Sequence, residues 1–483
     1  MAIGRKRDTA SSSRIFPNWS YALFYTICAH KIVSMPVSPS RASAFDVLLR
    51  LERTDAYAPE LLHSSRFHSL SSVDHGLLTE LVMGVLRWRG VLDERISKHL
   101  NQRLTRLDLE VLSALRLGAY QLLFLDRVAT HAAVNESVEL VKQARKRSAT
   151  GMVNAVLRKI ANDSRRLSAE IPQFSQNQRD VVHPRSEYVA AHPQWLVERW
   201  EQVYGTEMAA QICAYDQREP KTAIRADHPH ILEELWGEGI GLEPGTLLSK
   251  ARIVTTGNIT STKAFRERRL IIQDEASQLV ALLVGNGNAI LDCCAAPGGK
   301  TRILAEQNPR STIIAIELHP HRAALLRKLV LSGNVHVVAG DVRQMPLAAR
   351  FDRVLVDAPC SGTGTLARNP EIKWRLKLED LRRLQQYQLE ILLAAMDLVT
   401  DGGRLVYSTC SLEQEENSQV VQKALAAKPG FRILNCRDEL MRLREGHGLV
   451  IENIESLLSD VYLRTVPGVH DCDGFFAALL EKS

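Results

Sequence analysis

The 483-residue sequence predicts a multidomain chain: an all-α bundle, then a small α+β subdomain, then an α/β core built on a doubly wound parallel sheet. Three observations predict it. Apolar residues recur at helical spacing through 41–163. From 271 onward short β-branched runs alternate with helical stretches, the pattern of parallel strands joined by crossover helices. Between these regions a strand-like and a helix-like run stand alone. The boundaries that follow are 40–165, 186–270 and 271–483, with a polar, aperiodic linker at 164–185 and an extension at 1–39. Ordered pattern begins only after Met35, the expected start, so the upstream segment is read as a loose tail or as untranslated. Its apolar stretch at 15–29 is broken by Pro17, Asn18 and Ser20 and lacks a convincing signal-peptide cleavage site.

Each element of that scheme has its own pattern. The run 44–51 opens the first helix, and Leu77, Leu78, Leu81, Val82, Val85 and Leu86 line another. The segment 107–125 is apolar enough for a bundle centre. Val134, Val138 and Val141 stand at i, i+4, i+7, and Val153, Val156, Leu157 and Ile160 repeat that stripe one helix later. Between them the basic cluster 142–147 ends a helix, where it either complements the helix dipole or meets phosphate. After the linker, 190–204 reads as a short helix following Pro193, 222–226 as a strand and 229–238 as a helix. Arg218 and Arg225 there are surface arginines or RNA contacts. Core strands are expected at 289–294, 312–317, 335–338, 351–356 and 404–407, with helices at 322–331 and 378–399. The run 474–480 closes the chain as an antiparallel edge strand.

Composition narrows the function classes. Hydrophobic residues make up 45% and charged residues 24%, so the chain can bury ordinary globular cores. No apolar run is long enough to span a bilayer. Eight cysteines without regular spacing, and without a CxxC pair, make neither a disulfide framework nor a zinc site. Reduced thiols, a cytoplasmic location and no metal are the expectation. Charge divides unevenly: net +6 over 41–166 and net −4 over 167–483. A basic front beside a neutral-to-acidic core suggests a polyanion-binding module, though a solvated helical surface carries the same charge.

The chemistry collects at strand ends. Asp357-Ala-Pro-Cys-Ser-Gly-Thr-Gly leaves one core strand and Ser408-Thr-Cys-Ser the next, with Glu413-Gln-Glu-Glu-Asn417 behind it. Cys360 and Cys410 therefore belong in one crevice at the carboxyl edge of one sheet. The first crossover, Asp292-Cys-Cys-Ala-Ala-Pro-Gly-Gly-Lys-Thr301, is neither a dinucleotide fingerprint nor a Walker loop, because its glycines are adjacent. Its Cys294, Ala295, Ala296, Pro297, Gly298, Gly299 and Lys300 form a strand-to-helix turn in which backbone N–H groups can meet a polar cofactor end. Glu317 ends the second strand, where an acid takes a ribose diol, and Asp341 follows the third, suited to an adenine edge. Any one of these acids alone is better explained as a helix N-cap. Acids ending successive strands point to a nucleoside-containing cofactor. A lone cysteine is most often a small buried hydrophobe; two at neighbouring strand ends are not. Lys373-Trp374-Arg375 either grips a flipped nucleotide or begins a helix on a core tryptophan.

Two resemblances follow from these residues. The runs LRLGAYQLL (115–123), VNESVELVK (134–142) and GMVNAVLRK (151–159) resemble the helical RNA-binding domain of the NusB antitermination family. QDEASQ (273–278), DCCAAPGGKT (292–301), DAPCSGTGTLARNPEIKW (357–374) and STCSLEQEEN (408–417) resemble the S-adenosylmethionine-dependent RNA cytosine-C5 methyltransferases. With the bundle in front, about 40–483 is similar to the RsmB (Sun, Fmu) branch, which acts on 16S ribosomal RNA.

The resemblance implies a NusB-like bundle, a Rossmann-like class I methyltransferase core and S-adenosylmethionine held by residues 294–300 with Glu317, Asp341 and Asp357. It implies Cys410 as the nucleophile, Cys360 as its partner in elimination, and Asp357 on the ring N3 and amino edge. Carbon 5 of cytosine is a poor nucleophile, and a thiolate added at carbon 6 turns the ring into an enamine-like species that can attack a methyl donor. The implied partner is 16S ribosomal RNA and the implied state a monomer. Asn369-Pro-Glu replaces the His-Pro-Asp of many relatives, which leaves that loop's role open. Transfer or 23S ribosomal RNA is the alternative substrate. A non-catalytic RNA-binding factor is the alternative of another class, opposed by Cys360, Cys410, Asp357 and the Gly298-Gly299 turn.

Overall fold

The computed structural model describes residues 37–483 except 68, 168–184, 227 and 346–348; the extension at 1–36 and most of the polar linker lie outside the described residues. Helices Pro39–Arg53, Ala58–Leu62, Ser72–Ser97, Leu109–Phe124, Thr130–Gln143 and Thr150–Leu167 make the bundle. Their apolar stripes meet in one cluster in which Leu78, Leu81, Leu92, Leu115, Leu117 and Leu157 are fully buried. Burying one such side chain stabilises by about 1.5–3 kcal/mol, so packing of the stripe, more than helix propensity, holds these helices in place. Ser71 starts the longest helix by accepting from the Asp74 backbone N–H at 3.1 Å, which satisfies one of the donors a helix start leaves without a partner. Of the basic cluster, Lys142 pairs with Glu139 at 3.0 Å and Lys146 with Asp108 at 3.1 Å.

Three short helices follow, Arg185–Ala190, Gln194–Tyr204 and Thr206–Asp216. Next comes a small antiparallel sheet of β1 (Thr222–Arg225), β2 (Gly241–Pro244), β3 (Ala251–Thr256) and β4 (Ile271–Ile272), in the order β2-β3-β1-β4. Helix Pro229–Gly237 covers it, burying Ile231 and Leu235 with Ile224 and Ile240. Arg225 is neither a surface arginine nor free to meet RNA. It is buried and bonds Glu306 at 2.8 Å, which ties β1 to the core helix Gly299–Gln307.

The core sheet contains β5 (Ala289–Asp292), β6 (Thr312–Glu317), β7 (Val335–Ala339), β8 (Phe351–Asp357), β9 (Val399–Thr409), β10 (Phe431–Leu434), β11 (Leu458–Ser459), β12 (Tyr462–Thr465) and β13 (Phe475–Lys482). Its order is β11-β12-β13-β9-β8-β5-β6-β7, with β10 also paired to β13. Strands β5 to β9 run parallel, and β13 returns antiparallel to β9. β13 is not the edge strand that its terminal position suggests. β9 flanks it on one side, β12 and β10 on the other, and residues 475–480 are all buried. A strand apolar on both faces belongs inside a sheet.

The chain adds β5, β6 and β7 in one direction, then comes back to lay β8 on the other side of β5. The crevice outside the carboxyl ends of β5 and β8 is therefore the switch point at which such sheets bind ligands.

Candidate active site

β8 and β9 run in parallel register with Asp357 opposite Ser408. Just beyond their ends, the sulfurs of Cys360 and Cys410 lie 3.2 Å apart, each half-buried. The Ser408 hydroxyl donates to Asp357 Oδ1 at 2.8 Å, and Lys300 Nζ donates to Asp357 Oδ2 at 2.7 Å. The Lys300 ammonium also lies 5.1 Å from the centre of the Phe475 ring, a cation–π contact. One acid, one ammonium and two thiols thus share a crevice. The Cys360 thiol is pushed well above its ordinary range, first by its hydrogen bond to Cys410, then by burial and by the charge of Cys410 and Glu416.

The loops that carry the thiols are braced from behind. Asn417 takes the Thr409 hydroxyl at 2.5 Å and gives its amide to the Ser411 carbonyl at 2.8 Å. The Gly364 N–H donates to the Cys410 carbonyl at 2.9 Å, and the Gly474 N–H to the Gly364 carbonyl at 2.7 Å. Helix Gln194–Tyr204 lies against the loop after β9. The Trp200 indole donates to Glu413 Oε1 at 3.1 Å, Arg199 Nε to Glu413 Oε2 at 2.9 Å, and the Tyr204 hydroxyl to the Leu412 carbonyl at 2.6 Å. These short helices therefore brace the cysteine loop, a role their amphipathic pattern alone does not reveal.

The other strand ends form the opposite side of the crevice. Glu317, 4% exposed, closes β6 and accepts the His319 N–H at 3.0 Å through Oε1. Asp341, beyond β7, is gripped by Arg343, whose Nη2 donates at 2.6 Å and holds the carboxyl below its usual range. Asp292, at the end of β5, is buried with one oxygen on the Thr301 hydroxyl at 2.7 Å and Oδ1 facing no donor; burial pushes its carboxyl up to about 7. Burial also raises the Cys294 thiol, as do Asp292, Asp357 and Glu317, so these carboxylates converge on the turn.

The same turn leaves room for a ligand's main-chain contacts. Ala295, Ala296 and Pro297 lead into Gly298, which has φ +114°, where a Cβ would meet Leu326 Cδ1 at 2.6 Å and Val330 Cγ2 at 2.8 Å. Gln273, from the QDEASQ run, covers Gly299 and keeps a buried Oε1 without a donor. Two buried acceptors with no protein donor, an acid at the β6 end and a side-chain-free turn fit a small cofactor bearing amino and hydroxyl groups. Asp274 and Glu275 of that run serve the fold: Asp274 caps helix Glu275–Leu283, and Glu275 accepts from the backbone of Thr246, Leu247 and Leu248.

Lys373-Trp374-Arg375 makes its hydrogen bonds to the bundle and, among the described residues, not to a residue of the ligand crevice. Lys373 is 1% exposed, donates to the Arg87 carbonyl at 3.0 Å and lies beside His192 and Asp216; burial pulls its ammonium down to about 7. The Trp374 indole donates to the Leu86 carbonyl at 2.7 Å, and Arg375 to that of Leu51 at 2.8 Å. These three side chains fasten the bundle to the catalytic core. Glu371, in the Asn-Pro-Glu departure, joins them by accepting the Ala58 N–H at 2.8 Å. That contact brings Tyr57, 47% exposed, to the crevice: burial raises its phenol, followed by the charges of Cys360 and Cys410. Nothing in the local pattern around Tyr57 marks it, since the contact spans some three hundred residues.

A doubly wound sheet with acids at its strand ends, a glycine turn and paired thiols, fronted by a helical bundle, defines a multidomain chain with a Rossmann-like core. Residues 279–481 match the family model for 16S rRNA methyltransferase RsmB/F, 38–162 that of the NusB family, and 192–257 that of the ferredoxin-like domain of RsmF/B-type methyltransferases. A probable ribosomal RNA small subunit methyltransferase B of Bacillus subtilis is 33% identical over 92% of this chain and 98% of its own length. Ribosomal RNA small subunit methyltransferase B of Klebsiella pneumoniae is 32% identical over 86% and 91%. The crystal structure of PH0851 shares the fold, with a TM-score of 0.72 and 23% identity over 92% of this chain and 99% of that one. The chain belongs to the RsmB/F family of ribosomal RNA methyltransferases. Among the described residues no helix is long and apolar enough to cross a membrane, and no group of three or more His, Cys, Asp or Glu side chains is arranged to hold a metal ion.

Proposed function

We propose that this chain methylates carbon 5 of a cytosine in 16S ribosomal RNA, in the cytoplasm, with S-adenosylmethionine as donor. The observation that carries the reading is the 3.2 Å approach of Cys360 and Cys410 beside Asp357. In this reading residues 294–300, Glu317 and Asp341 hold the cofactor, which supplies an electrophilic methyl group when bound. Cys410 adds through sulfur to carbon 6; the carbon 5–carbon 6 π pair moves onto carbon 5, and the ring N3 gains charge or a proton. Asp357 accepts from the amino edge and, once N3 takes a proton, from N3–H, which steadies the adduct. Lys300 and Ser408 hold Asp357 in place for this work. After methylation the carbon 5 proton leaves, its electron pair restores the double bond and the Cys410 sulfur departs, a step in which Cys360 takes part. The target base is presented splayed out or single-stranded, since a stacked cytosine offers no path to carbon 6.

The test is label transfer from tritiated S-adenosylmethionine to a 16S transcript, with bisulfite mapping of the product. Cys410→Ala should abolish turnover and adduct, and Cys360→Ala should accumulate an RNA–protein adduct. Normal methylation by Cys410→Ala refutes the nucleophile, and no adduct with Cys360→Ala refutes the release role. Label only in 23S or transfer RNA favours the other substrate, and no label in any RNA favours a binding factor.

A further inference from the structure

Each cysteine is followed by a serine, and both serines end on the same oxygen. The Ser361 and Ser411 hydroxyls each donate to Glu416 Oε2 at 2.5 Å, while Ser361 N and Gln388 Nε2 each donate to Glu416 Oε1 at 2.8 Å. The Glu413 N–H already donates to Ser411 Oγ at 3.1 Å, which leaves the Ser411 proton for Glu416. An ionised carboxylate offers about four acceptor sites, and here four donors fill them. Glu416 is 0% exposed, and its main-chain oxygen takes the Tyr407 hydroxyl at 2.6 Å. The loops after β8 and β9 cannot part without breaking charge-assisted bonds to a buried anion, a costly loss.

We propose that Glu416 is a positioning residue for the cysteine pair: one carboxylate oxygen clamps the residues that follow Cys360 and Cys410 and so sets the two sulfurs at bonding distance. The inference rests on the cysteine roles proposed above. It also gives the pair a direction. The clamp is a buried negative charge bonded to both the backbone and the side chain of Ser361, the immediate neighbour of Cys360. Its charge adds to the hydrogen bond with Cys410 and to burial in disfavouring a thiolate at Cys360.

Two variants separate charge from reach. Glu416→Gln keeps the size and removes the charge; Glu416→Asp keeps the charge and shortens the side chain by one methylene. In the full-length protein without RNA, the pH profile of iodoacetamide alkylation is read at each cysteine by peptide mass spectrometry. In Glu416→Gln, Cys360 should alkylate about tenfold faster at a fixed pH below its midpoint. With 16S transcript, kcat should fall roughly 10- to 100-fold in both variants while KM for RNA stays within about twofold. Glu416→Asp keeps the charge, so any change in its alkylation profile comes from the loosened sulfur pair alone. Native alkylation and native kcat in both variants overturn the proposal. Alkylation needs no methyl transfer, so failure of the clamp is distinct from failure of the cytosine reading, in which the unmodified protein itself makes no 5-methylcytosine. If neither variant folds, Ser361→Ala, Ser411→Ala and their double test the same link. Each single should cost most of what the double costs, and independent, multiplying effects overturn the clamp.

Discussion

Gly364 is the position at which the smallest change should do the most damage. A Cβ added there would lie 2.1 Å from the Gly474 carbonyl oxygen and 2.7 Å from its carbonyl carbon, both backbone atoms. Real Cβ atoms essentially never come within 3.0 Å of another heavy atom, so Gly364→Ala must part the two segments by about 0.9 Å. The displaced residue is the one whose N–H holds the Cys410 carbonyl, in the loop that also carries Cys360. The strain costs roughly 1–3 kcal/mol, as overpacking does elsewhere. A misplacement of about 1 Å at reacting groups costs on the order of 100-fold in rate. The assay is methyl transfer to a 16S transcript, with a thermal melt on the same sample. The expected result is a folded protein with a melting temperature lowered by a few degrees and kcat reduced about 100-fold. Gly76→Ala is the control: Gly76 lies in helix Ser72–Ser97 with nothing within 4 Å of the added carbon. It should raise stability by about 0.5–1 kcal/mol and leave kcat unchanged. A Gly364→Ala protein with kcat within about threefold of native would refute the reasoning that ties backbone spacing to the sulfur pair.

Other perturbations follow from the same geometry. Gly298→Ala puts a side chain at φ +114° into Leu326 and Val330; calorimetry should show affinity for S-adenosylhomocysteine lowered about tenfold or more, with RNA binding intact. Asp292 is held up to about 7 by burial, against the opposing Thr301 hydrogen bond. The folded state therefore keeps a proton that the unfolded chain releases above about pH 4, and stability from this group is lost as pH rises from about 4 to about 7. Asp292→Asn removes that loss. The fall in melting temperature between about pH 5 and about pH 8 should shrink by roughly 2–4 °C, the remainder coming from groups such as Asp473 that are raised in the same direction. Trp200→Phe deletes the indole donor to buried Glu413; denaturant titration should show a loss of about 1–3 kcal/mol, and an unchanged midpoint would show that the bond is dispensable.

Much of this molecule is visible in its sequence because period and composition report local structure. β-Branched runs place β5, β6, β8 and β9 where they lie, and strand-end logic alone brings Cys360 and Cys410 into one crevice. What the pattern misses is non-local. The terminal strand looks like an edge because nothing follows it, yet β12 and β10 fold back to flank it. Arg225 has a surface residue's composition and a buried residue's partner, Glu306, eighty-one positions away. Lys373, Trp374 and Tyr57 take their roles from docking between the bundle and the core, which local spacing does not encode.

That docking has a mechanical consequence. Lys373, Trp374 and Arg375 reach main-chain carbonyls of two bundle helices, and Glu371 takes the backbone N–H that begins a third. Main-chain anchors of this kind resist sliding, so the bundle and the sulfur pair stand at a set span from one another, like the jaws of a caliper. On the function proposed above, an RNA that touches both is therefore measured by the length between its two points of contact.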